Sequence, residues 1–399
     1  MVKPAERVMR PVSDQELQRR WATVRKGMEE RKVDVLLMQN NNDFMGGNVK
    51  YFTDIPAVTG YPVTVTFPRE AGMSVVCQGA MDSERKLPLE GDGIWRGVTT
   101  VYGAPSYASA GYSLNYETDA VEKALQPYAG GTIGLIGLGT LPISMVDRLR
   151  RTFSKARFVD VTEMVDHIKA IKSEEELGCV RECCQWQEAA MQAVFDAIKP
   201  GMRQIELAAL AEYEIVRRGG EQGLYLICSY QPGHPYGHEH RHFQNKIIEK
   251  GDLFTLLIET SGPGGMWGEL SRTCVLGKAT NEMKEEAAFM VEARNHALKL
   301  MTPGTSCKTV WDSYNEFMRR NGRPEENRLF CHGQGCDLVE RPLVRFDETM
   351  TIQKGMNITC HPTYVTKRLY GNITDNYFIG ETGIVERVHK FTELLVEIT

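Results

Sequence analysis

The chain has 399 residues, 42% hydrophobic and 25% charged, with a formal net charge of −5, a pI near 6.1 and a mean hydropathy of −0.33. That length exceeds one ordinary core and implies two domains, and the charge balance excludes the basic footprint of a nucleic-acid or anionic-membrane binder. No run approaches the ~20 apolar residues of a membrane span, the opening MVKPAERVMRPVSDQE has no apolar leader segment, and ten cysteines without a CxxC pair read as reduced thiols of a cytoplasmic protein.

DQELQRRWATVRKGMEER (14–31) has the spacing of an amphipathic helix, and VDVLLMQ (33–39) that of a buried strand. YPVTVTF, MSVVC and TIGLIGL read as further strands, with helical segments such as VDRLRRTFSK between them, so an α/β layer runs to about residue 160. GLIGLGT (134–140) lacks the GxGxxG form, and a dinucleotide site is not expected. HIKAIKSEEELGCVRECCQWQEAAMQAVFDAI (167–198) is one long helical pattern with an S-x-x-E capping box from Ser173 to Glu176. The domain boundary is placed just before it. IKPGMRQIELAALAEYEIVRRGG (198–220) and LMTPGTSCKTVWDSYNEFMRRNG (300–322) share Pro-Gly, an amphipathic helix, an arginine pair and a glycine stop. They are either two unrelated turn-helix units or the halves of a duplicated α/β layer facing a central site.

Four polar clusters in the second half carry the candidate chemistry. GHPYGHEHRHF (233–243) contains His234, His238, His240 and His242. In an extended strand the last three share a face, which suits either a metal site or a histidine-lined cleft. LLIETSGPGGMWGELSRTCVLG (256–277) reads as a hairpin that brings Glu259 near Glu269. Glu259 closes a strongly apolar run, where an unpaired charge is costly. CHGQGCDLVERPLV (331–344) supplies His332 and Cys336 around a glycine turn, and GMNITCHPTY (355–364) ends a strand-like run at His361. Taken singly, each histidine reads as structural more readily than catalytic; four such clusters in order point to a site.

These stretches, with NVKYFTDIPA, IKAIKSEEEL, KGDLFTLLIE, ELSRT and DNYFIGETG, resemble in order and spacing the creatinase/aminopeptidase P superfamily. The resemblance implies an N-terminal creatinase-type α/β domain at 1–165 and a pita-bread catalytic domain, a duplicated α/β fold, at 166–399. It also implies a homodimer whose N-terminal domain approaches the partner's site, with Tyr61 and Tyr107 as candidate lining residues. Metal-dependent members hold two ions with five side chains. Here those positions carry Glu259, Glu269, Cys336, His361 and Thr374 beside Asp375, and none keeps its usual ligand.

The resemblance therefore points to the metal-free branch, creatinase and ectoine hydrolase, with no cofactor and a small polar substrate cleaved at an amide, amidine, lactam or cyclic amidine C–N bond. Glutamate at 259, the L-S-R-T run and Thr374-Asp375 are shared with ectoine hydrolase; Ser271, where creatinase has glutamate, argues against creatine. His240, about a dozen residues before Asp252 of the KGD turn, is the expected general base. Glu259 or Glu269 pairs with a cationic nitrogen of the substrate or attacks its carbon to give an acyl-enzyme, and His361 or His332 protonates the leaving nitrogen. Arg341 is expected to hold a carboxylate, with Cys336, Thr374, Asp375 and His238 as further substrate contacts. Three alternatives stand beside this: a metal-dependent Xaa-Pro-type peptidase, a pita-bread lyase, each with an unusual Glu/Cys/His metal site, or a non-catalytic binding module.

Overall fold

Ser13 takes extended backbone angles and its hydroxyl accepts from the Glu16 N–H, so the first helix starts at α1 (Asp14–Arg31). In the computed structural model the described residues are all except 1–9, 41, 43, 45, 57–59, 90, 222, 367 and 368. Much of the stretch read for a leader segment, and the end of NVKYFTDIPA, lie outside them. The chain divides into two compact units, Met1–Lys169 and Ala170–Thr399. After α1 the first unit runs β1 (Val35–Asn40), α2 (Gly47–Thr53), β2 (Val63–Pro68), β3 (Met73–Gln78), β4 (Glu84–Lys86), β5 (Val98–Ala104), α3 (Leu114–Leu125), β6 (Thr132–Leu135), α4 (Ile143–Thr152), β7 (Arg157–Asp160) and α5 (Thr162–Ala170). Its strands form one mixed sheet in the order β4-β5-β3-β2-β1-β6-β7.

The single long helix expected over 167–198 is two helices. α5 stops at Ala170 and α6 (Glu174–Ala197) begins after Ser173. Ser173 is extended, accepts from the Glu176 N–H at 3.1 Å, and donates its own N–H to Glu176 Oε2 at 2.8 Å. The capping box that starts one helix thus prevents the previous one from continuing. The linker is pinned by the buried Lys172–Glu340 ion pair at 2.7 Å.

The second unit continues with α7 (Gln204–Val216), β8 (Gly223–Tyr230), β9 (Leu253–Ser261), β10 (Trp267–Leu276), α8 (Asn281–Leu298), α9 (Cys307–Arg320), β11 (Cys331–Gly333), β12 (Glu340–Leu343), β13 (Asn357–Cys360), β14 (Thr363–Val365), β15 (Tyr370–Asn372), β16 (Asp375–Ile379), β17 (Ile384–Arg387) and β18 (Val396–Ile398). Two sheets dominate it, β18-β10-β9-β8 and β12-β11-β13-β16-β17. The repeat seen in the sequence is structural. The Gly201 N–H bonds Ile248 O at 2.9 Å and the Gly304 N–H bonds Ile352 O at 2.8 Å. The bridges Arg203–Ile247 and Ser306–Thr351 sit at matching places. Each half is a helix pair backed by a sheet, the duplicated α/β arrangement of the pita-bread fold.

Strand alternation decides what each sheet presents. On β9 and β10 the residues Leu256, Ile258, Leu270 and Cys274 pack into the core under α6 and α7. The intervening Glu259, Glu269 and Ser271 therefore point to the opposite face. On β11, β13 and β16 the residues Cys331, Ile358, Cys360 and Tyr377 join the core under α8 and α9. His332, Thr359 and Asn376 point the other way. The polar faces of the two sheets meet.

Candidate active site

The β9–β10 register pairs Glu269 directly with Glu259. Cross-strand partners have Cβ atoms about 4.5–5.5 Å apart, so the two carboxyls share one small volume, only 6% and 4% exposed. Gln334 Nε2 donates to Glu259 Oε1 at 3.0 Å, and Thr359 Oγ1 donates to Glu269 Oε2 at 3.3 Å. The Glu269 N–H is taken by Asn376 Oδ1 at 2.8 Å, and Asn376 Nδ2 in turn donates to Gln334 Oε1 at 2.9 Å. One amide chain thus fixes both glutamates.

His332 and His361 come from the facing sheet, with ring centroids 5.1 Å apart. His332 Nδ1 lies 2.8 Å from the Gly333 carbonyl. A carbonyl only accepts, so Nδ1 carries the proton and Nε2 presents a lone pair. That Nε2 is 3.8 Å from Glu269 Oε2. One donor atom each from Glu269, His332 and His361 lies within 4.8 Å of the other two.

Burial governs the protonation of all four groups. It pushes Glu259 well above the carboxylate range, reinforced by Glu269 opposite, and raises Glu269 to about 7. It lowers His332 to about 4 and His361 well below the histidine range, with His332 adding to the latter. The imidazoles are neutral and a proton resides on the glutamates.

Two neutral imidazoles and one carboxyl on one buried patch suit a single ion of the zinc or iron kind. They do not suit two hard ions bridged by carboxylates. Of the five positions singled out, Cys336 packs its sulfur 3.9 Å from Met266 Sδ and stands outside the cluster, Thr374 offers only a hydroxyl, and Glu259 Oε1 is engaged by Gln334.

The remaining expected residues are placed as follows. The strand expected over 238–242 does not form; the chain makes a single bridge, Ile227–Glu239, and then a 3-10 turn over Arg241–Phe243, and His240 and His242 are exposed. The expected base His240 is not in the buried cluster. His238 is turned inward instead: Tyr370 Oη meets its Nδ1 at 3.0 Å, its Nε2 is buried without a partner among the described residues, and burial lowers it to about 3. Arg341 does not await a substrate carboxylate, because its guanidinium forks onto Glu348 at 3.1 and 2.5 Å. Asp375 is not a substrate contact either. It faces away from the site beside Cys360, between Arg272 Nη2 at 2.7 Å and Arg294 Nη1 at 3.0 Å. Thr374, one residue earlier, faces inward. Tyr61 and Tyr107 are exposed on the first unit.

Sequence reading missed Gln334, Thr359 and Asn376, which hold the glutamates. Their only signal was their position inside the CHGQGC, MNITC and TDNYF stretches, two residues from a candidate or between two of them. It also missed Arg328, an exposed guanidinium four residues before His332 whose charge bears on Glu259, Glu269, His332 and His361.

Comparison with known proteins fits this geometry. The chain is 27% identical over 266 residues to the Xaa-Pro dipeptidase of Pyrococcus furiosus, spanning 64% of this chain and 74% of that protein. Its fold superposes on the X-Pro aminopeptidase of Thermotoga maritima with a TM-score of 0.78 at 18% identity, covering 94% of this chain and 99% of that one. The prolidase of Pyrococcus horikoshii gives 0.73 at 21% identity, covering 94% and 99%. These relatives are named for cleavage next to proline, and together with the Glu269–His332–His361 donor group they overturn the expectation of a metal-independent hydrolase restricted to non-peptide C–N bonds. The profile described as metallopeptidase family M24 matches residues 178–387, more than half of the chain, and its span holds both glutamates, both site histidines and the amides that fix them. The chain belongs to metallopeptidase family M24.

Proposed function

We propose that this protein is a metal-dependent peptidase acting on small peptides of the Xaa-Pro type, with one ion held by Glu269, His332 and His361. The observation that carries the reading is the donor group itself: three buried donors converging within 4.8 Å, with both imidazoles neutral. A divalent ion bound there supplies Lewis-acid polarisation of the scissile carbonyl. The chain's own residues do the rest. Gly333 O orients the His332 ring, and Thr359 and Asn376 hold Glu269 in place. Glu259, held protonated by burial and by Glu269 opposite and anchored by Gln334, gives its proton to the leaving nitrogen and takes its replacement from the attacking water. His238 Nε2, buried without a protein partner, is the loop histidine offered to substrate in place of His240. A homodimer is part of the same proposal, by likeness to the family.

The test uses the full chain purified without chelator, with elemental analysis alongside hydrolysis of a Gly-Pro-type dipeptide. The expected result is close to one zinc or iron per chain and turnover that chelator abolishes and added metal restores. Turnover without metal, or no peptide turnover by the metal-loaded protein, rejects the reading.

A further inference from the structure

Among the described residues, two fully buried hydroxyls beside the donor group have no hydrogen-bond partner. Ser271 and Thr374 are both 0% exposed, and neither Ser271 Oγ nor Thr374 Oγ1 makes a hydrogen bond within the protein. A buried hydroxyl left unsatisfied costs about 1–3 kcal/mol. Two of them side by side form a place built for a polar guest.

Backbone register fixes where they point. The Ser271 N–H bonds Thr374 O and the Thr374 N–H bonds Ser271 O, each at 3.3 Å. They are a hydrogen-bonded antiparallel pair, whose side chains leave the sheet on the same side. Ser271 follows Glu269 by two residues on β10 and shares its face. Thr374 precedes Asn376 by two residues and shares the face of that amide. The β13–β16 pairing sets Cys360 opposite Asp375; extended by one residue, it sets His361 beside Thr374. The hydroxyl pair therefore lies on the inner face, flanked by Glu269 on one sheet and His361 on the other.

The chemistry of the guest follows from its neighbours. Each hydroxyl gives one donor and two acceptors, so the guest must both donate and accept. The adjacent glutamates disfavour an anion, and complete burial leaves no room for a bulky group. A water molecule with two to four polar partners meets these conditions.

We infer that Ser271 and Thr374 are positioning residues that hold the hydrolytic water at the Glu269–His361 edge of the site. The inference rests on the peptidase reading above. In the reaction the water oxygen bonds to the scissile carbonyl carbon, the C–N bond breaks as the leaving nitrogen takes the Glu259 proton, and the water's proton replaces it on Glu259, giving a carboxylic acid and an amine.

The experiment compares the metal-loaded wild type with Ser271→Ala/Thr374→Val and with Thr374→Ser, by crystallography and by dipeptide kinetics. In the wild type an ordered water is expected within hydrogen-bond reach of both hydroxyls. In the double variant that water is absent and kcat falls about 100-fold, the loss expected when a reacting group is slightly misplaced, at unchanged KM and metal content. Thr374→Ser keeps the water and most of the rate. A double variant with wild-type kcat, or a kcat loss matched by an equal loss of metal, overturns the inference. An active wild type without that water overturns this inference alone, whereas a water in place in a protein inert to dipeptides overturns the peptidase reading.

Discussion

Asp375 and the Glu259–Glu269 pair are buried to nearly the same degree and meet opposite surroundings. Asp375 sits between the guanidiniums of Arg272 and Arg294, both buried with it. Glu259 and Glu269 face each other, with amides, a hydroxyl and neutral imidazoles around them but, among the described residues, no buried cation. Charge that is neutralised internally is architecture. Charge left uncompensated forces protons onto the carboxyls and leaves room for an ion or substrate to supply the missing partner. The difference separates structural from functional acids in a region where sequence placed all three in one site.

The largest expected effect breaks the structural side. Asp375→Asn removes the carboxylate shared by two buried guanidiniums and should destabilise the protein by roughly 3–5 kcal/mol, the usual penalty for removing one member of a buried ion pair. Urea unfolding measures it; a variant within 1 kcal/mol of wild type, on the order of an ordinary surface change, would mean that Asp375 is not the keystone described. Glu269→Gln should do the reverse: the metal-free fold persists while metal content and activity are lost, read by elemental analysis beside the same urea curve.

A pH series sharpens the contrast. Burial raises Glu269 from 4.5 to about 7 in the folded state, so the fold binds this proton more tightly than the unfolded chain does. Its contribution is complete below pH 4.5 and is lost as pH rises through about 7. Metal-free wild type should thus lose stability relative to Glu269→Gln between those values, and parallel curves for the two proteins would refute the shift.

The smallest effects concern the histidine loop. His240→Ala, at an exposed position, should leave kcat/KM within about twofold, the scale of a surface substitution. His238→Phe should raise KM, because it removes the inward-facing Nε2. A tenfold loss for His240→Ala, or none for His238→Phe, would return the role to the residue that sequence favoured.

Much of the site was legible without coordinates. Two apolar runs around SGPGG define the hairpin, and the short turn that pairs Ser261 with Trp267 sets Glu259 against Glu269 in register. His332 and His361 were visible because each stands at a chain break, a glycine turn or a proline, where strands expose side chains to a cleft. The duplicated Pro-Gly-helix units also announced the two-sheet architecture, as they repeat a local pattern that backbone chemistry alone enforces. What the sequence by itself determined is therefore the element order, the hairpin and the residue types available.

Tertiary structure decided which of those residues meet. Strand period is two, so a one-residue step separates Thr374, on the inner face, from Asp375, on the core face, and no reading of adjacent letters distinguishes them. The same holds for His238 and His240, where no strand forms and the loop turns only the first inward. Arg341 was legible as a cation, but whether its fork is free depends on Glu348, which folding alone brings to it. The proposed metal site stood in the sequence only as an alternative Glu/Cys/His set, at positions that keep none of the five expected ligands. The Glu269–His332–His361 donor group arises because Glu269 and the two histidines come from different sheets, and only the packing of those sheets face to face brings three donors into one small volume.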